Sequence, residues 1–318
     1  MTRYTGNGAY CYANSLHMAL GDSGARPAEL PEPGFIECLT TMPFGTLYLR
    51  VGRELLVFFS SPVTTPDDGV TTALDVMGWE CRDERGGTPE VALARLAGAA
   101  ARGPVLAGPL DMGGLGYLPY HQQVSGSDHF VVVLGVEGDR VRVHDPDGFP
   151  HATLPTGDFL RAWKAERVRY SHTTYAMRSG FRQLRHPARN EMIARTLCVM
   201  RANLAADPGG PDQYGGPRAV RLLAADLRGT VAKRLAGHLT LFALPLAARR
   251  SHDAAAFLRE AGQAEVAGLL ERKARCFGEA QYWAVQERWE ATADAMEAVA
   301  ELEEALIRAL EPPPWRRS

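Results

Sequence analysis

Lysine is scarce in this sequence: of 35 basic residues, only Lys164, Lys233 and Lys273 are lysines. Basic residues are not in excess either, since 37 acidic residues give a formal net charge of −2 at pH 7. A protein that binds nucleic acid needs a basic surplus to neutralise phosphates. We therefore expect no nucleic-acid partner.

Long apolar runs are also missing. No apolar run follows Arg3, as a secretory signal would require. The longest apolar stretch, residues 239–248, is about half of the roughly 20 residues that cross a bilayer, and it contains Pro245. We expect a cytoplasmic protein with no transmembrane helix and no membrane partner.

Paired cysteines are the third absence. The five cysteines are widely scattered, and no CxxC pair occurs among them. An odd, scattered set argues against both a disulfide framework and a structural zinc site. We therefore expect no metal, and reduced thiols that are mostly buried, at Cys11, Cys38, Cys81, Cys198 and Cys276.

The composition changes near His186. Residues 1–185 contain the β-rich runs TLYLRVG, ELLVFFSS and PVLAGPL, a helix that begins at Pro89, and turns between them. Residues 186–318 are rich in Ala, Leu, Arg and Glu at helical spacing. The pattern predicts an α+β protein with a catalytic domain at 1–185 and a mainly α-helical domain at 186–318.

The helical part contains one interruption and one apolar stripe. Residues 206–217 are rich in Gly and Pro, which is typical of a loop or a mobile lid. From Ser251, a suitable N-cap, helix formers continue up to Pro312. The stripe predicts core packing, with a partner surface such as a homodimer interface as the alternative. It consists of Met296, Val299, Leu302, Leu306 and Leu310.

Cys11 follows a glycine-containing loop and opens a segment of helical character, GAYCYANSLHMAL. At a helix N-terminus the unpaired amides and the positive end of the dipole stabilise a thiolate, which is the attacking form of cysteine. The same amides can hold an oxyanion. The pattern indicates a cysteine nucleophile, with a buried packing cysteine as the alternative.

A hairpin supplies a base for that nucleophile. In DHFVVVLGVEGDRVRVHDPDG, two β-branched runs flank a turn at residues 137–139. With the turn centred on Gly138, facing residues sum to 276, so Asp145 lies on the face that carries His129, and Asp147 opposes His129 directly. A carboxylate there orients the imidazole and stabilises its charged form. We expect Asp145 to be the partner, because Asp147 suits backbone capping in a turn.

An early cysteine that opens a helix, followed by a late His-Asp hairpin, resembles the papain-like clan. Together with GPVLAGPLDMGGLGYLPYHQQ and the helical stretch containing AQYWAVQERW, the chain resembles the family of butirosin biosynthesis protein H. The resemblance implies a papain-like domain followed by a helical region. It also implies transfer of an acyl group from a carrier-protein thioester to a small-molecule amine in natural-product (antibiotic) biosynthesis, with Cys11, His129 and Asp145 as the triad.

The oxyanion hole departs from this family pattern. Papain-like enzymes carry a Gln about six residues before the nucleophile, and this chain has Thr5 there. Asn7 is the nearest amide side chain, with an ordinary turn residue as the alternative reading. We expect the oxyanion donors to be Asn7 and the backbone N–H of Cys11.

The long loop before His129 supplies further candidates. Tyr117, Tyr120, His121 and Gln122 lie in a glycine-rich stretch that leads to the base, and we expect them to contact substrate. No resident cofactor is expected, since the acyl donor would arrive on the phosphopantetheine arm of an acyl carrier protein.

Two other functions fit the same residues. A cysteine hydrolase or a cyclase would use the same triad with water or an internal nucleophile. A catalytically inert binding protein on a papain-like scaffold belongs to a different class. Covalent capture of an acyl group at Cys11 separates the enzymes from the binding protein.

Overall fold

The computed structural model describes residues 2–6, 8, 10–26, 29–52 and 54–310. In these ranges the helices are α1 (Cys11–Asp22), α2 (Pro33–Leu39), α3 (Pro66–Val76), α4 (Pro89–Ala100), α5 (Thr156–Trp163), α6 (Arg189–Ala205), α7 (Gly216–Leu227), α8 (Lys233–His238), α9 (Leu244–Glu260), α10 (Ala264–Val285) and α11 (Trp289–Leu310). The strands are β1 (Leu47–Val51), β2 (Glu54–Phe58), β3 (Trp79–Glu84), β4 (Val105–Asp111), β5 (Asp128–Glu137), β6 (Arg140–Asp145), β7 (Phe149–Pro155), β8 (Met177–Gln183) and β9 (Gln213–Gly215). The protein is α+β, as predicted.

The first compact unit comprises residues 1–36 and 73–186. Its sheet has six strands in the order β3-β8-β4-β5-β6-β7, and every neighbouring pair is antiparallel. Helix α1 packs against β5, the central strand whose first residues are Asp128 and His129. Apolar residues of β4, β5 and β6 share a buried core with α4 and α5. The sheet therefore holds the start of β5 between well-packed neighbours.

The second compact unit comprises residues 37–72 and 187–318. Its sheet is small, with the order β2-β1-β9, and its helices include α7, α9, α10 and α11. Tyr48, Val57 and Phe59 lie in the same buried core as Phe277 and Met296. Burial of such side chains contributes on the order of 1.5 to 3 kcal/mol each.

The placement of residues 37–72 differs from the domain division at 185/186 that the sequence predicts. That division assigns them to the catalytic domain, whereas they pack with the C-terminal helices. Polar contacts in the unit reinforce the packing. Glu37 pairs with Arg250 at 2.9 Å, and Thr46 donates to Glu303 at 2.7 Å. Periodicity identifies a strand but does not identify the element on which it packs.

The C-terminal helices differ from the sequence prediction in two places. Ser251 is not an N-cap: it is buried inside α9, which begins at Leu244 directly after a π-helical turn at Leu239–Ala243. The loop predicted at 206–217 ends in β9, which pairs with β1, and in the start of α7. The last residues of the predicted loop are therefore part of the three-stranded sheet and of α7.

The apolar stripe of α11 is buried, which confirms the prediction of core packing. All five of its side chains are at most 5% exposed. Lys273 of α10 reaches Glu303 of α11 within 2.6 Å, so a buried ion pair joins the two helices beside the stripe. Among the described helices, none has both the length and the apolar composition needed to cross a bilayer.

Candidate active site

Cys11 is the first residue of α1 and is partly exposed to solvent. The preceding residue, Tyr10, has φ of 59° and ψ of 50°, a left-handed conformation that non-glycine residues adopt only at a cost. Its carbonyl accepts hydrogen bonds from the backbone and the side chain of Asn14, at 2.8 and 3.1 Å. A sharp turn closed by Asn14 therefore places the thiol at the entrance of the helix, as predicted.

The first turns of α1 are tied to the strand that carries His129. Ser15, one turn after Cys11, donates to the carbonyl of Phe130 at 3.0 Å. The Phe130 backbone slightly lowers the pKa of the Cys11 thiol, and the Phe130 ring packs edge-on against Tyr12. Because Phe130 directly follows His129, these contacts fix the helix entrance beside the imidazole.

His129 lies between Cys11 and Asp145. Its Nε2 is 2.7 Å from Asp145 Oδ1, so the predicted hydrogen bond to Asp145 is present. The ring also forms a hydrogen bond with the Cys11 thiol, and since Nε2 is occupied, that bond uses Nδ1. Both His129 and Asp145 are buried. An imidazole held in this way can take a proton from the sulfur while the carboxylate stabilises the resulting charge.

A β-bulge in β5 brings His129 and Asp145 to the same face. Next to the turn the paired residues sum to 277, as in Glu137 with Arg140, which is a two-residue turn at 138–139. The register then shifts by one residue at Leu134, and Val132 pairs with His144, a sum of 276. The predicted three-residue turn is therefore wrong, while the predicted register near His129 is present. Without the shift, Asp145 would point to the opposite face, because side chains alternate along a strand.

Burial and charge set the proton affinities of the three groups. Although Cys11 as a residue is partly exposed, desolvation of its thiol raises the pKa, and the hydrogen bond and charge of His129 oppose that rise. Burial disfavours the charged form of His129, but Asp145 and Cys11 together raise its pKa well above the usual range. Burial also raises the pKa of Asp145, but His129 together with the hydrogen bonds from the Asp147 N–H and the Tyr117 hydroxyl brings it below its usual value, so Asp145 stays ionised. Formation of the thiolate is thus coupled to protonation of His129.

The four loop residues predicted to contact substrate have different environments. The hydroxyl of Tyr117 donates to Asp145 Oδ2 at 2.7 Å, and that of Tyr120 donates to Asp147. His121 Nδ1 lies 2.9 Å from the Leu118 carbonyl at the start of a 3-10 turn, and Gln122 is exposed in the same turn. The loop therefore supports the two carboxylates directly.

The N-terminal residues contribute a contact that the sequence analysis missed. The hydroxyl of Tyr4 donates to the main-chain carbonyl of Asp145 at 2.9 Å and accepts from the Gly148 N–H at 3.0 Å. No local sequence signal identifies this link, because it joins residues more than 140 positions apart. The predicted oxyanion residue Asn7 lies outside the described residues. The backbone N–H of Cys11 lies in the first turn of α1, where amides have no intrahelical acceptor.

The other cysteines lack these features. Burial raises the pKa of Cys38 well above its usual value, that of Cys81 to about 11, and that of Cys276. Cys38 is buried, Cys11, Cys81 and Cys276 are partly exposed, and Cys198 is exposed on α6, so the expectation that most of the cysteines are buried is wrong. Among the five thiols, only Cys11 forms a hydrogen bond with a described histidine.

Asp147 gives a prediction for stability against pH. Burial raises its pKa to about 6, above the usual range of a carboxyl group. The folded protein therefore binds this proton more tightly than the unfolded chain, and stability is lost as the pH rises from about 4 to about 6. We expect Asp147→Asn, which retains an oxygen for Tyr120, to raise the melting temperature at pH 7.5.

At pH 4 the difference between Asp147→Asn and the unsubstituted protein is expected to close. Thermal unfolding followed by circular dichroism at both pH values measures it. A variant less stable than the unsubstituted protein at pH 7.5 would contradict the prediction.

Comparison with known proteins shows similarity over most of the chain. A family model described as the YobF C-terminal domain matches residues 210–311. A relative described as uncharacterized protein YobF, from Bacillus subtilis (strain 168), is 28% identical over 306 residues, which is 96% of each chain. The similarity to this relative covers nearly the whole chain, whereas the family model covers only part of the C-terminal region. Neither description names an activity.

Proposed function

We propose that the chain is a cysteine acyltransferase that moves an acyl group from a carrier-protein thioester to an amine acceptor in secondary metabolism. The observation that carries the proposal is His129, buried and hydrogen-bonded to Cys11 on one side and to Asp145 on the other. A nucleophile, a base and an orienting carboxylate in this sequence are the parts that acyl transfer requires. The thioester donor and the amine acceptor follow from the family resemblance, as does a papain-like architecture for the first compact unit.

In the first half-reaction, His129 takes the proton of the Cys11 thiol and the sulfur attacks the carbonyl carbon of the donor thioester. The carbonyl oxygen gains charge in the tetrahedral intermediate, and the N–H of Cys11 at the start of α1 can stabilise it. The bond from carbon to the donor sulfur then breaks. His129 returns its proton to the departing carrier thiol, leaving the acyl group on Cys11.

In the second half-reaction, the amine nitrogen attacks the acyl-enzyme carbonyl and gives a proton to His129. The bond between carbon and the Cys11 sulfur breaks, an amide forms, and His129 returns the proton to Cys11. Asp145 stays ionised throughout and stabilises the imidazolium that each half-reaction forms. Water or an internal nucleophile in place of the amine would make the same site a hydrolase or a cyclase.

Intact-mass spectrometry tests the proposal. The full chain is incubated with acyl thioesters of N-acetylcysteamine and of an acyl carrier protein, first alone and then with primary amines. We expect an increase by the acyl mass, located at Cys11, that disappears on addition of an amine as an amide product forms. The matched control is Cys198→Ser, which removes an exposed thiol outside the site. An acyl-enzyme that is lost to water at the same rate with and without amine would overturn the transferase assignment in favour of a hydrolase.

A further inference from the structure

Tyr117 makes a contact that the proposed reaction does not use. Its hydroxyl donates to Asp145 Oδ2 at 2.7 Å. Its ring lies 5.9 Å, centroid to centroid, from the ring of Phe149 and packs against the core of the first compact unit. The phenol is therefore held in place by apolar contacts, and its polar end is directed at the carboxylate.

The Asp145 carboxylate accepts hydrogen bonds through both of its oxygens. Oδ1 accepts from His129 Nε2 at 2.7 Å and from the Asp147 N–H at 2.8 Å. Oδ2 accepts from Tyr117. Since the side chain of Asp145 is 0% exposed, water does not replace a lost donor there. Tyr117 thus prevents the carboxylate from turning Oδ2 towards His129.

We infer that Tyr117 is a positioning residue, which orients the Asp145 carboxylate and keeps it ionised so that His129 is held towards Cys11. This role replaces the substrate contact expected from the sequence. It rests on the proposed roles of Asp145 and His129. Tyr117 touches neither the thiol nor any reacting atom and acts through Asp145.

Neighbouring groups have separable effects. Tyr4 binds the main-chain carbonyl of Asp145, and Tyr120 binds Asp147. Near Cys11 itself, the charged groups are His129 and Asp128, and Tyr170 donates to Asp128 at 2.9 Å. Tyr117, by contrast, donates its hydroxyl directly to the carboxylate of Asp145. Its hydrogen bond lowers the pKa of Asp145, with a smaller effect than those of His129 and of the Asp147 N–H.

The test is the pH dependence of Cys11 alkylation by iodoacetamide, a small neutral probe that requires no acyl substrate. The full chain carries Cys198→Ser, and alkylation is followed by the mass of the peptide that contains Cys11. A carboxylate that loses one hydrogen bond is protonated at a higher pH. In Tyr117→Phe, Asp145 therefore stops stabilising the charged form of His129 at a higher pH than in the parent. In Tyr117→Phe we expect the acid limb of the profile to move up by about 1 pH unit.

The matched control is Tyr48→Phe, which removes a tyrosine-to-aspartate hydrogen bond of 2.6 Å, to Asp226, in the second compact unit. Its alkylation profile is expected to coincide with that of the parent. An unchanged acid limb in Tyr117→Phe, whether or not its melting temperature falls, would overturn the inference. A higher KM for the acyl thioester, together with an unchanged acid limb of the alkylation profile, would show that Tyr117 contacts substrate.

A second variant guards against poor folding of Tyr117→Phe. Site-specific incorporation of 3-fluorotyrosine at position 117 keeps the ring and makes the phenol a stronger donor. We expect its acid limb to move down in pH, opposite to Tyr117→Phe, and a limb that moves up would contradict the inference. Because alkylation involves no acyl group, failure of this test is distinct from failure to form an acyl-enzyme with thioesters.

Discussion

Replacing Cys11 by alanine is expected to abolish acyl-enzyme formation and reduce turnover by at least about 10⁴-fold, because the bond-forming atom is removed. Replacement by serine should have nearly the same effect, since a hydroxyl gives up its proton to His129 far less readily than a thiol does. The measurement is the acyl adduct by intact mass together with the rate of amide formation. Thermal unfolding of each variant shows whether the fold is retained.

The experiment needs a control for Cys198, whose thiol is exposed. Cys198 will react with alkylating reagents because it is exposed, so Cys198→Ser is the background in which Cys11 is tested. Burial raises the pKa of Cys81 to about 11, which keeps it a thiol at neutral pH. Acyl transfer that persists in Cys11→Ala would show that the nucleophile is another residue.

Replacing Asp145 by asparagine is the second change with a large expected effect. The amide keeps the shape of the carboxylate but carries no charge, so the imidazolium form of His129 loses its stabilising partner in a buried site. We expect kcat to fall by up to about 10⁴-fold, the loss that a Ser-His-Asp triad shows when its Asp is replaced by Asn. Steady-state kinetics with a thioester and an amine measure the loss.

Asp147→Asn is the matched comparison for Asp145→Asn. It makes the same chemical change two residues away and leaves the bond between His129 and Asp145 in place. We expect it to lower kcat by less than about tenfold. Equal losses in the two variants would show that the region needs negative charge in general and that Asp145 has no special relation to His129.

The elements of the site follow from local sequence to a considerable extent. The helix that begins at Cys11 and the hairpin of β5 and β6 both rest on residue patterns within a short window. The pairing of His129 with Asp145 depends in addition on the bulge at Leu134. With the two-residue turn and no bulge, Asp145 would lie on the face opposite to His129. The sequence prediction of this pair was correct although it assumed a turn centred on Gly138, which the protein does not have. Short sequence patterns are enough to identify the strands. Which face of the hairpin each side chain occupies depends on a single inserted residue, which those patterns do not reveal.

Long-range packing is the part that the sequence did not reveal. Tyr117 looks like a loop aromatic beside a cleft, because nothing near it in the chain indicates Asp145 as its partner. The segment 37–72 reads as part of a sheet-rich domain, because its strands resemble the others in composition. Both assignments depend on contacts between distant segments, which periodicity and capping signals do not encode.

The packing of residues 37–72 with the C-terminal helices has a consequence for synthesis on the ribosome. The β1 and β2 hairpin emerges before β3 to β8, whereas β9 and the helices that cover the hairpin are made after them. A two-stranded hairpin is marginally stable in water by itself. The nascent chain must therefore carry the apolar side chains of Tyr48, Val57 and Phe59 uncovered while the whole of the six-stranded sheet is translated. Native closure of the second core therefore waits for α7, α9, α10 and α11, and termination of translation before these helices leaves a product with an aggregation-prone strand pair.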